Sequence, residues 1–383
     1  MIETYLLSWL LPFLFAIVIS YAVFTLILIL LWYRIPSETK EQDSSATFIS
    51  VIVPVRNEEG NILSLLSDLN SQTFPSEQFE VLVMDDGSTD QTASQVQQFA
   101  LQNRINLRLI SLPDLPTTSP KKRAIETAIG QAKGNLITTT DGDCRVGPGW
   151  LKSIAECHAT TNARLISGPV TFMEENSLTD HLQTVEFASL IGSGASAISA
   201  GFPSLCNGAN LTYEKNAFLE VRGFDGVRHI ASGDDEFLMH KIAARYPDGI
   251  QFLKNPETVV RTKAHQDWSL FFRQRKRWAS KWKHYKSKTP LVLALYVFFC
   301  NFSLILALGL YISGSISAGY FGLLLLLKCA PEWFFLGMVL QFLNKNRSII
   351  FIPVTQIIYP FYVCFFGLAV QKPTYEWKGR KLV

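Results

Sequence analysis

Two carboxylates separated by one glycine, Asp141-Gly142-Asp143, follow the short apolar run Leu136-Ile137 and three threonines, Thr138 to Thr140. Carboxylates at this spacing can share one hard divalent cation. Mg2+ and Mn2+ prefer oxygen and are held by one or two carboxylates together with substrate phosphates. An apolar run that ends there reads as a buried strand, and the C-terminal edge of an open α/β sheet is where ligands sit. Taken alone, the same residues also fit a polar turn, since Asp and Gly are ordinary turn residues.

Other groups are placed in the same way. Asp85-Asp86-Gly87-Ser88-Thr89-Asp90 follows an apolar run over 79–84, and Gly233-Asp234-Asp235-Glu236 opens a helical run that ends near Tyr246. A helix cap is the plain alternative for either acidic pair. Lys121 and Lys122 open a helix before the Asp141 strand, where solvated surface is the alternative to anion binding. Gln274, Arg277 and Trp278 are spaced i, i+3, i+4 and share one helical face.

Such residues need a scaffold. Phe48-Ile49-Ser50-Val51-Ile52-Val53-Pro54-Val55 is nearly continuous apolar, β-branched sequence, as for a strand buried on both faces. The pattern then predicts a helix from Arg56-Asn57-Glu58-Glu59 to about Ser71, capped by Asn57, with the glutamates at its positive end. It continues with a strand over 79–84, a helix over 91–102, a short strand at 107–110, a loop over 113–120 and a helix over 121–133. Strands alternating with helices of this length predict an α/β fold, a doubly wound, mostly parallel sheet covered on both faces. Beyond Asp143 a helix over 150–158 and a strand over 165–172 are expected. The small-residue-rich stretch 180–199 fits either a membrane-surface segment or a core helix or loop, and Cys206-Asn207-Gly208-Ala209-Asn210 is turn-rich.

The 383-residue chain is 48% hydrophobic, and the excess lies at its two ends. Residues 6–33 are almost uncharged and long enough to cross a ~30 Å hydrocarbon core. No basic segment precedes this run and no small-x-small site ends it, which disfavours a cleaved signal peptide. Arg34 and Lys40 then place the following domain in the cytoplasm, after a polar linker over 37–47. Over 268–288, Phe271, Gln274, Trp278, Trp282 and Tyr285 form one face, surrounded by Arg273, Arg275, Lys276, Arg277, Lys281 and Lys283. That combination predicts an interfacial helix on an anionic leaflet. Spans are expected over 290–312 and 318–343, joined at Gly314-Ser315. Lys328 and Glu332 are spaced to pair inside the second span, with Pro331 marking a break beside the active site. A full crossing by 349–370 would carry a basic tail outside, so that segment is expected to be re-entrant or interfacial with the tail cytoplasmic. The expected organisation is a transmembrane helix over 1–34, a cytoplasmic domain over 35–267, an interfacial helix over 268–289, transmembrane or re-entrant segments over 290–371 and a basic tail over 372–383. A net charge of +3 supplies no field for nucleic acid. The six cysteines have no ligand spacing, as expected of reduced thiols in a cytoplasm-facing domain.

In chain order, the strand Val51–Pro54 with Arg56-Asn57-Glu58, then Asp85-Asp86-Gly87-Ser88-Thr89-Asp90, Asp141-Gly142-Asp143, Gly233-Asp234-Asp235 and Gln274-Arg275-Lys276-Arg277-Trp278 closely resemble the family-2 glycosyltransferases. These are inverting membrane enzymes that include cellulose, hyaluronan and chitin synthases and single-addition relatives. The resemblance covers about residues 48–285, and Trp377-Lys378-Gly379-Arg380 looks like the tail of some single-addition members. It implies the GT-A form of the α/β fold. It also implies Asp85 and Asp86 at the nucleoside, and a lysine, assigned to Lys122 beside Lys121, at the diphosphate. Asp143 would ligate Mg2+ or Mn2+, and Asp141 would contact ribose or metal. Asp235 would be the catalytic base, with Asp234 beside it in the substrate site. Of the Gln-x-x-Arg-Trp residues, Arg277 would meet the diphosphate and Trp278 would line the acceptor site alongside Gln274.

The activity implied by the resemblance is inverting transfer of a sugar from a UDP- or GDP-sugar to a lipid or lipid-linked acceptor at the cytoplasmic face of the membrane. A processive polysaccharide synthase shares the Gln-x-x-Arg-Trp motif and differs in product length. A non-catalytic sugar-nucleotide-binding subunit would keep the fold and be indifferent to loss of Asp235.

Overall fold

The computed structural model describes residues 2–37, 47–113, 117–173, 175–265, 267–281, 285, 289–369, 375–377 and 380–382. A long apolar helix, α1 (Ile2–Arg34), leads into the domain. The chain then alternates through β1 (Ile49–Val55), α2 (Ile62–Asn70), β2 (Phe79–Asp85), α3 (Thr92–Gln102), β3 (Leu107–Ser111), α4 (Pro120–Gln131) and β4 (Leu136–Thr139). Next come α5 (Trp150–Thr161), β5 (Leu165–Ser167), β6 (Val170–Phe172), α6 (Leu178–Ser199), β7 (Leu211–Glu214), α7 (Lys215–Glu220), α8 (Glu236–Arg245), β8 (Ile250–Phe252) and β9 (Val260–Thr262). The remainder is α9 (Trp268–Ser280), α10 (Thr289–Ile312), α11 (Ala318–Phe342), α12 (Ile352–Ala369) and a hairpin of β10 (Tyr375–Trp377) and β11 (Arg380–Leu382).

The central sheet has seven strands in the order β3-β2-β1-β4-β7-β5-β8. Strand β7 runs antiparallel to both of its neighbours, and the other pairings are parallel. From β1 the chain moves outward to β2 and β3, then returns to β4 on the opposite side of β1. The order therefore reverses between β1 and β4, and the crevice at their C-terminal ends is where an open sheet takes its ligand. Ile49, Val51, Ile52, Val53, Val81, Leu82 and Val83 are fully buried, which is why β1 and β2 read as unbroken apolar runs.

Three local expectations change, and one open alternative is resolved. Helix α2 starts at Ile62, because Asn57 adopts φ +53° and serves the neighbouring loop instead of a helix. The run 165–172 is two strands: Gly168-Pro169 separates β5 in the main sheet from β6, which pairs with β9 in a second small sheet. The stretch 180–199 is a packed helix, α6, opened by a Ser177–Asp180 capping box and buried against α1 and α11. Its Gly192 lies so close to α11 that a Cβ there would stand 2.6 Å from Val339 Cγ2. Helix α11 runs unbroken through Pro331. The bonds of Tyr21 Oη (2.7 Å) and Gln356 Nε2 (3.2 Å) to Glu332 hold that turn from both sides, and Lys328 pairs with Glu332 at 3.0 Å as spaced.

Four helical segments, 8–34, 290–312, 318–342 and 346–366, are long and apolar enough to cross a membrane. Lys254 pins the end of the first to the domain: its ammonium donates to Trp32 O at 2.9 Å and lies over the Trp32 ring. All six cysteines are free thiols. Trp282, Lys283, Lys40 and Lys378-Gly379 lie outside the described residues.

Candidate active site

The first wall of the crevice is made by the loops that leave β1 and β2. Gly87 turns at φ +69°, and Arg56 Nη1 donates to the carbonyls of Asp86 and, at 3.0 Å, Gly87. Asn57 donates its N–H to Ser88 Oγ at 3.0 Å and accepts from Thr89 N at 2.8 Å. Thr92 Oγ1 takes the Glu58 N–H at 2.7 Å, and Asp90 takes the Glu59 N–H at 3.1 Å. Asp85 accepts from Ser88 N at 3.1 Å, and Asp86 pairs with Arg123 of α4. Both carboxylates are more than nine-tenths buried, and they sit at the tip of β2 in a braced frame.

The Asp141-Gly142-Asp143 loop faces this wall. Gly142 is required by closeness, since a Cβ there would meet Val55 Cγ1 at 2.9 Å and Glu58 Cγ at 3.1 Å. The loop is anchored beyond Asp143 by Arg145, whose guanidinium grips Asp68 of α2 at 2.6 and 2.7 Å. Asp143 accepts from Thr262 Oγ1 at 3.3 Å. Lys121 lies at the centre, 2.6 Å from Asp141 and 3.5 Å from Asp234. Burial works against the Lys121 ammonium, but Asp141 and Asp234 more than offset it and raise its pKa.

The turn-rich segment 206–210 joins this loop to the second acidic pair. Thr139 Oγ1 of β4 donates to Gly208 O at 2.8 Å, and Gly208 N donates to Asp235 Oδ2 at 3.1 Å. A side chain at 208 would collide with Asp234 Oδ2 at 3.0 Å, so glycine lets the strand end and the acids meet. Asp235 is also the N-cap of α8, taking the Glu236 N–H on Oδ1 at 2.8 Å. Each carboxylate oxygen keeps a second lone pair. Burial pushes Asp235 upward, but Lys281, Lys121 and the two N–H groups outweigh it and leave the pKa below the usual carboxylate range. Glu236 goes the other way, raised by burial and by Asp235 although Lys281 lies 2.9 Å away and Tyr285 donates to it.

The structure thus brings Asp141, Asp234 and Asp235 together through Lys121 and Gly208, with Asp85 and Asp86 on the facing wall. It separates Lys122 from them: that ammonium is buried and bonded to backbone carbonyls. Gln274, Arg277 and Trp278 lie on α9, which is tied to the acids by Lys281 just beyond its end. Gln274 accepts from Arg275 at 2.7 Å, and Trp278 packs near Phe187. Sequence reasoning gave no role of their own to Arg56, Arg123, Gly208 and Glu236, and it counted Lys281 only as part of a basic collar. The Gly208 signal was present in the turn-rich run between apolar segments. Arg56 precedes Asn57-Glu58-Glu59 and Arg123 follows Lys121-Lys122, and neither arginine carries a spacing signal of its own.

Two carboxylates with hard oxygen donors fit a cation that draws its remaining ligands from phosphate and water. Among the described residues no group of three or more His, Cys, Asp or Glu side chains forms a closed site.

The profile described as Glycosyl transferase family 2 matches residues 50–213, and that described as Glycosyl transferase family group 2 matches residues 136–366, more than half the chain. The chain belongs to glycosyl transferase family group 2. It is 36% identical over 133 residues to the glycosyltransferase AglE of Haloferax volcanii, a match covering 35% of this chain and 42% of AglE. It is 30% identical over 107 residues to the beta-monoglucosyldiacylglycerol synthase of a Nostoc species, covering 28% of this chain and 22% of that enzyme. The chain therefore spans less than half the length of these curated relatives. The mannosyltransferase PcManGT from Pyrobaculum calidifontis, solved with GDP-Man and Mn2+, superposes with a TM-score of 0.57 over 92% of this chain and 99% of that one, at 17% identity. That likeness establishes the GT-A type of fold for this family member.

Proposed function

We propose that this glycosyltransferase moves a sugar, with inversion, from a nucleoside-diphosphate sugar to a hydroxyl of a lipid or lipid-linked acceptor at the cytoplasmic face of a membrane. The observation that carries the reading is Lys121 lying between Asp141 and Asp234, which joins the strand-end acids of the nucleotide crevice to the pair containing Asp235. Asp85 and Asp86 take hydrogen bonds from base and ribose, and Arg123 and Arg56 hold them in place. Asp143, with Asp141, would hold Mg2+ or Mn2+, which when bound neutralises charge on the departing diphosphate.

Asp235 is ionised under ordinary conditions and accepts the proton of the acceptor hydroxyl. The oxygen of that hydroxyl bonds to the anomeric carbon while the bond from that carbon to the diphosphate oxygen breaks. The nucleoside diphosphate leaves from the opposite face. Arg277 meets the diphosphate, and Gln274 and Trp278 line the acceptor side, where an indole suits both a sugar face and the bilayer interface.

A lipid acceptor is favoured by α9, which exposes Trp268, Leu270 and Phe272 beside the apolar helices. The Nostoc relative, by its name, makes a glucosyl diacylglycerol. The test is nucleotide release by the purified full chain in nanodiscs with a lipid extract, a panel of UDP- and GDP-sugars and either metal. Release with one donor, lost in Asp235→Asn, is expected. Equal turnover by Asp235→Asn would overturn the assignment of the base.

A further inference from the structure

We propose that Lys122 is a positioning residue for Asp234 and Asp235, its ammonium latching the loop that delivers them. The proposal rests on the reading of Asp235 as the base. Lys122 is 1% exposed, and its three N–H donors are all used: on Val227 O at 2.9 Å, Ile230 O at 2.6 Å and Ser232 O at 3.0 Å. Ser119 Oγ gives Ile230 O a second donor at 2.6 Å. The rings of Phe237 and Phe224 stand 5.2 and 5.9 Å from the ammonium.

The three carbonyls belong to one segment, 227–232, and the acids follow it directly. Between latch and acids lies Gly233 at φ +79°, packed so tightly that a Cβ would stand 2.6 Å from the Phe237 ring. The chain therefore passes from a clamped carbonyl at Ser232, through a turn only glycine makes easily, into Asp234 and Asp235. A lysine ammonium has three donors and a neutral amine two, so loss of its proton removes one of the three ties that hold the segment. As a direct ligand of the diphosphate, Lys122 would first have to abandon these carbonyls.

The charged groups facing Lys122 are Asp234 and Asp235 on the loop, Lys281 beyond α9, and Glu126 one turn along α4, itself paired with Arg228. Burial lowers the Lys122 pKa to about 8, with the two aspartates opposing that fall. The latch therefore opens on the alkaline side of neutrality.

The experiment compares the wild-type full chain in nanodiscs with Lys122→Arg and Lys122→Met. It reads kcat against pH, nucleotide affinity by titration, and amide exchange over 227–235. For the wild type, kcat should fall with a midpoint near about 8. In Lys122→Arg this fall should leave the measured range, because a guanidinium stays charged to beyond about pH 12. Lys122→Met should lose about 100-fold in kcat, the scale of a small misplacement of a reacting group, with nucleotide affinity unchanged and the loop amides exchanging faster. An alkaline fall that persists in Lys122→Arg would overturn the latch. Weakened nucleotide binding by Lys122→Met at unchanged kcat would do the same and restore the diphosphate role. Unaltered exchange in Lys122→Met would also refute it. The exchange measurement needs no substrate, so a turnover assay silent in the wild type would count against the transferase reading while the latch is still measured.

Discussion

The guanidinium of Arg275 lies 4.3 Å from the centre of the Trp278 ring and 4.6 Å from that of Phe271, and Glu186 of α6 grips it in a two-point ion pair. Tyr362 of α12 donates to the same glutamate at 3.2 Å. Arg275 thus joins three helices while fixing the face of the tryptophan assigned to the acceptor. Lysine supplies neither the fork nor the flat stack. We expect Arg275→Lys to raise acceptor KM about tenfold, equivalent to about 1.4 kcal/mol, with donor affinity unchanged. Equal effects on donor and acceptor KM would mean that Arg275 supports the fold alone.

Asp143 stands opposite Thr262 and one residue from the Lys121-bonded Asp141. Lys121 neutralises one member of the pair, which would make Asp143 the principal carboxylate for a divalent ion. Chelation should stop turnover in the wild type. Asp143→Ala should stop it at every Mn2+ or Mg2+ concentration, and metal should no longer tighten nucleoside-diphosphate binding in titrations. A variant whose nucleotide affinity still rises with Mn2+ would place the ion elsewhere.

Much of this site was legible because strand ends announce themselves. Apolar runs that stop at Asp85-Asp86 and before Asp141-Gly142-Asp143 must be buried strands, and their C-terminal ends must converge at the crevice. Lys121 and Lys122 were not separable in this way. The buried stripe of α4, Ala124, Ile125, Ala128 and Ile129, lies three and seven residues beyond both lysines, so periodicity favours neither. Only the position of the 227–232 loop decides which ammonium meets carbonyls and which meets carboxylates. Strand β7 escaped because its four residues follow a turn-rich run and pair antiparallel at a distance in sequence. Helix α6 is covered by the domain on one side and apolar helices on the other, so it has no polar stripe to mark its period.

Asp235 and Glu236 are adjacent, and their environments push them apart: Asp235 below the usual range, Glu236 above its own. As pH falls, Glu236 takes up its proton first, above the ordinary glutamate value of about 4.3. That weakens its hold on Lys281, while Asp235 stays charged to below about 3.9. The acid limb of kcat/KM should therefore follow Glu236. In Glu236→Gln it should move to lower pH. A limb that stays in place in this variant would assign it to another group.

Asn210 closes the rear of the site. It accepts from Trp150 Nε1 at 3.0 Å and donates to Pro169 O and Thr258 O, both at 2.8 Å. Asn210→Ala orphans the Trp150 indole N–H and the Thr258 carbonyl at about 1–3 kcal/mol each, while Pro169 O keeps the Val260 N–H, so a loss of about 2 kcal/mol or more is expected. Thermal unfolding of the detergent-solubilised protein should show a clear drop in midpoint. An unchanged midpoint would mean that water replaces the amide.

By length and composition, residues 346–366 suffice to cross a membrane, whereas the path proposed for this segment is re-entrant or interfacial. Just before the helix, Phe351 stacks on His181 and Ser348 hydrogen-bonds to it at 2.9 Å, at the start of α6. Midway, Gln356 reaches Cys329 O at 2.7 Å and Glu332 in α11. Further on, Tyr362 returns to Glu186, and Phe365 and Phe366 meet Phe272 of α9. Strand β10 also packs against α9. The helix is continuous over Ile352–Ala369, so the proposed return rests on the basic tail, which a crossing would carry to the far side. In a background with the native cysteines replaced, Lys381→Cys should therefore react with a membrane-impermeant thiol reagent from the same side as Leu101→Cys on the domain. Ser315→Cys, in the turn between α10 and α11, should react from the opposite side. Labelling of position 381 alongside 315 would mean that α12 crosses and that the tail lies on the side opposite the domain.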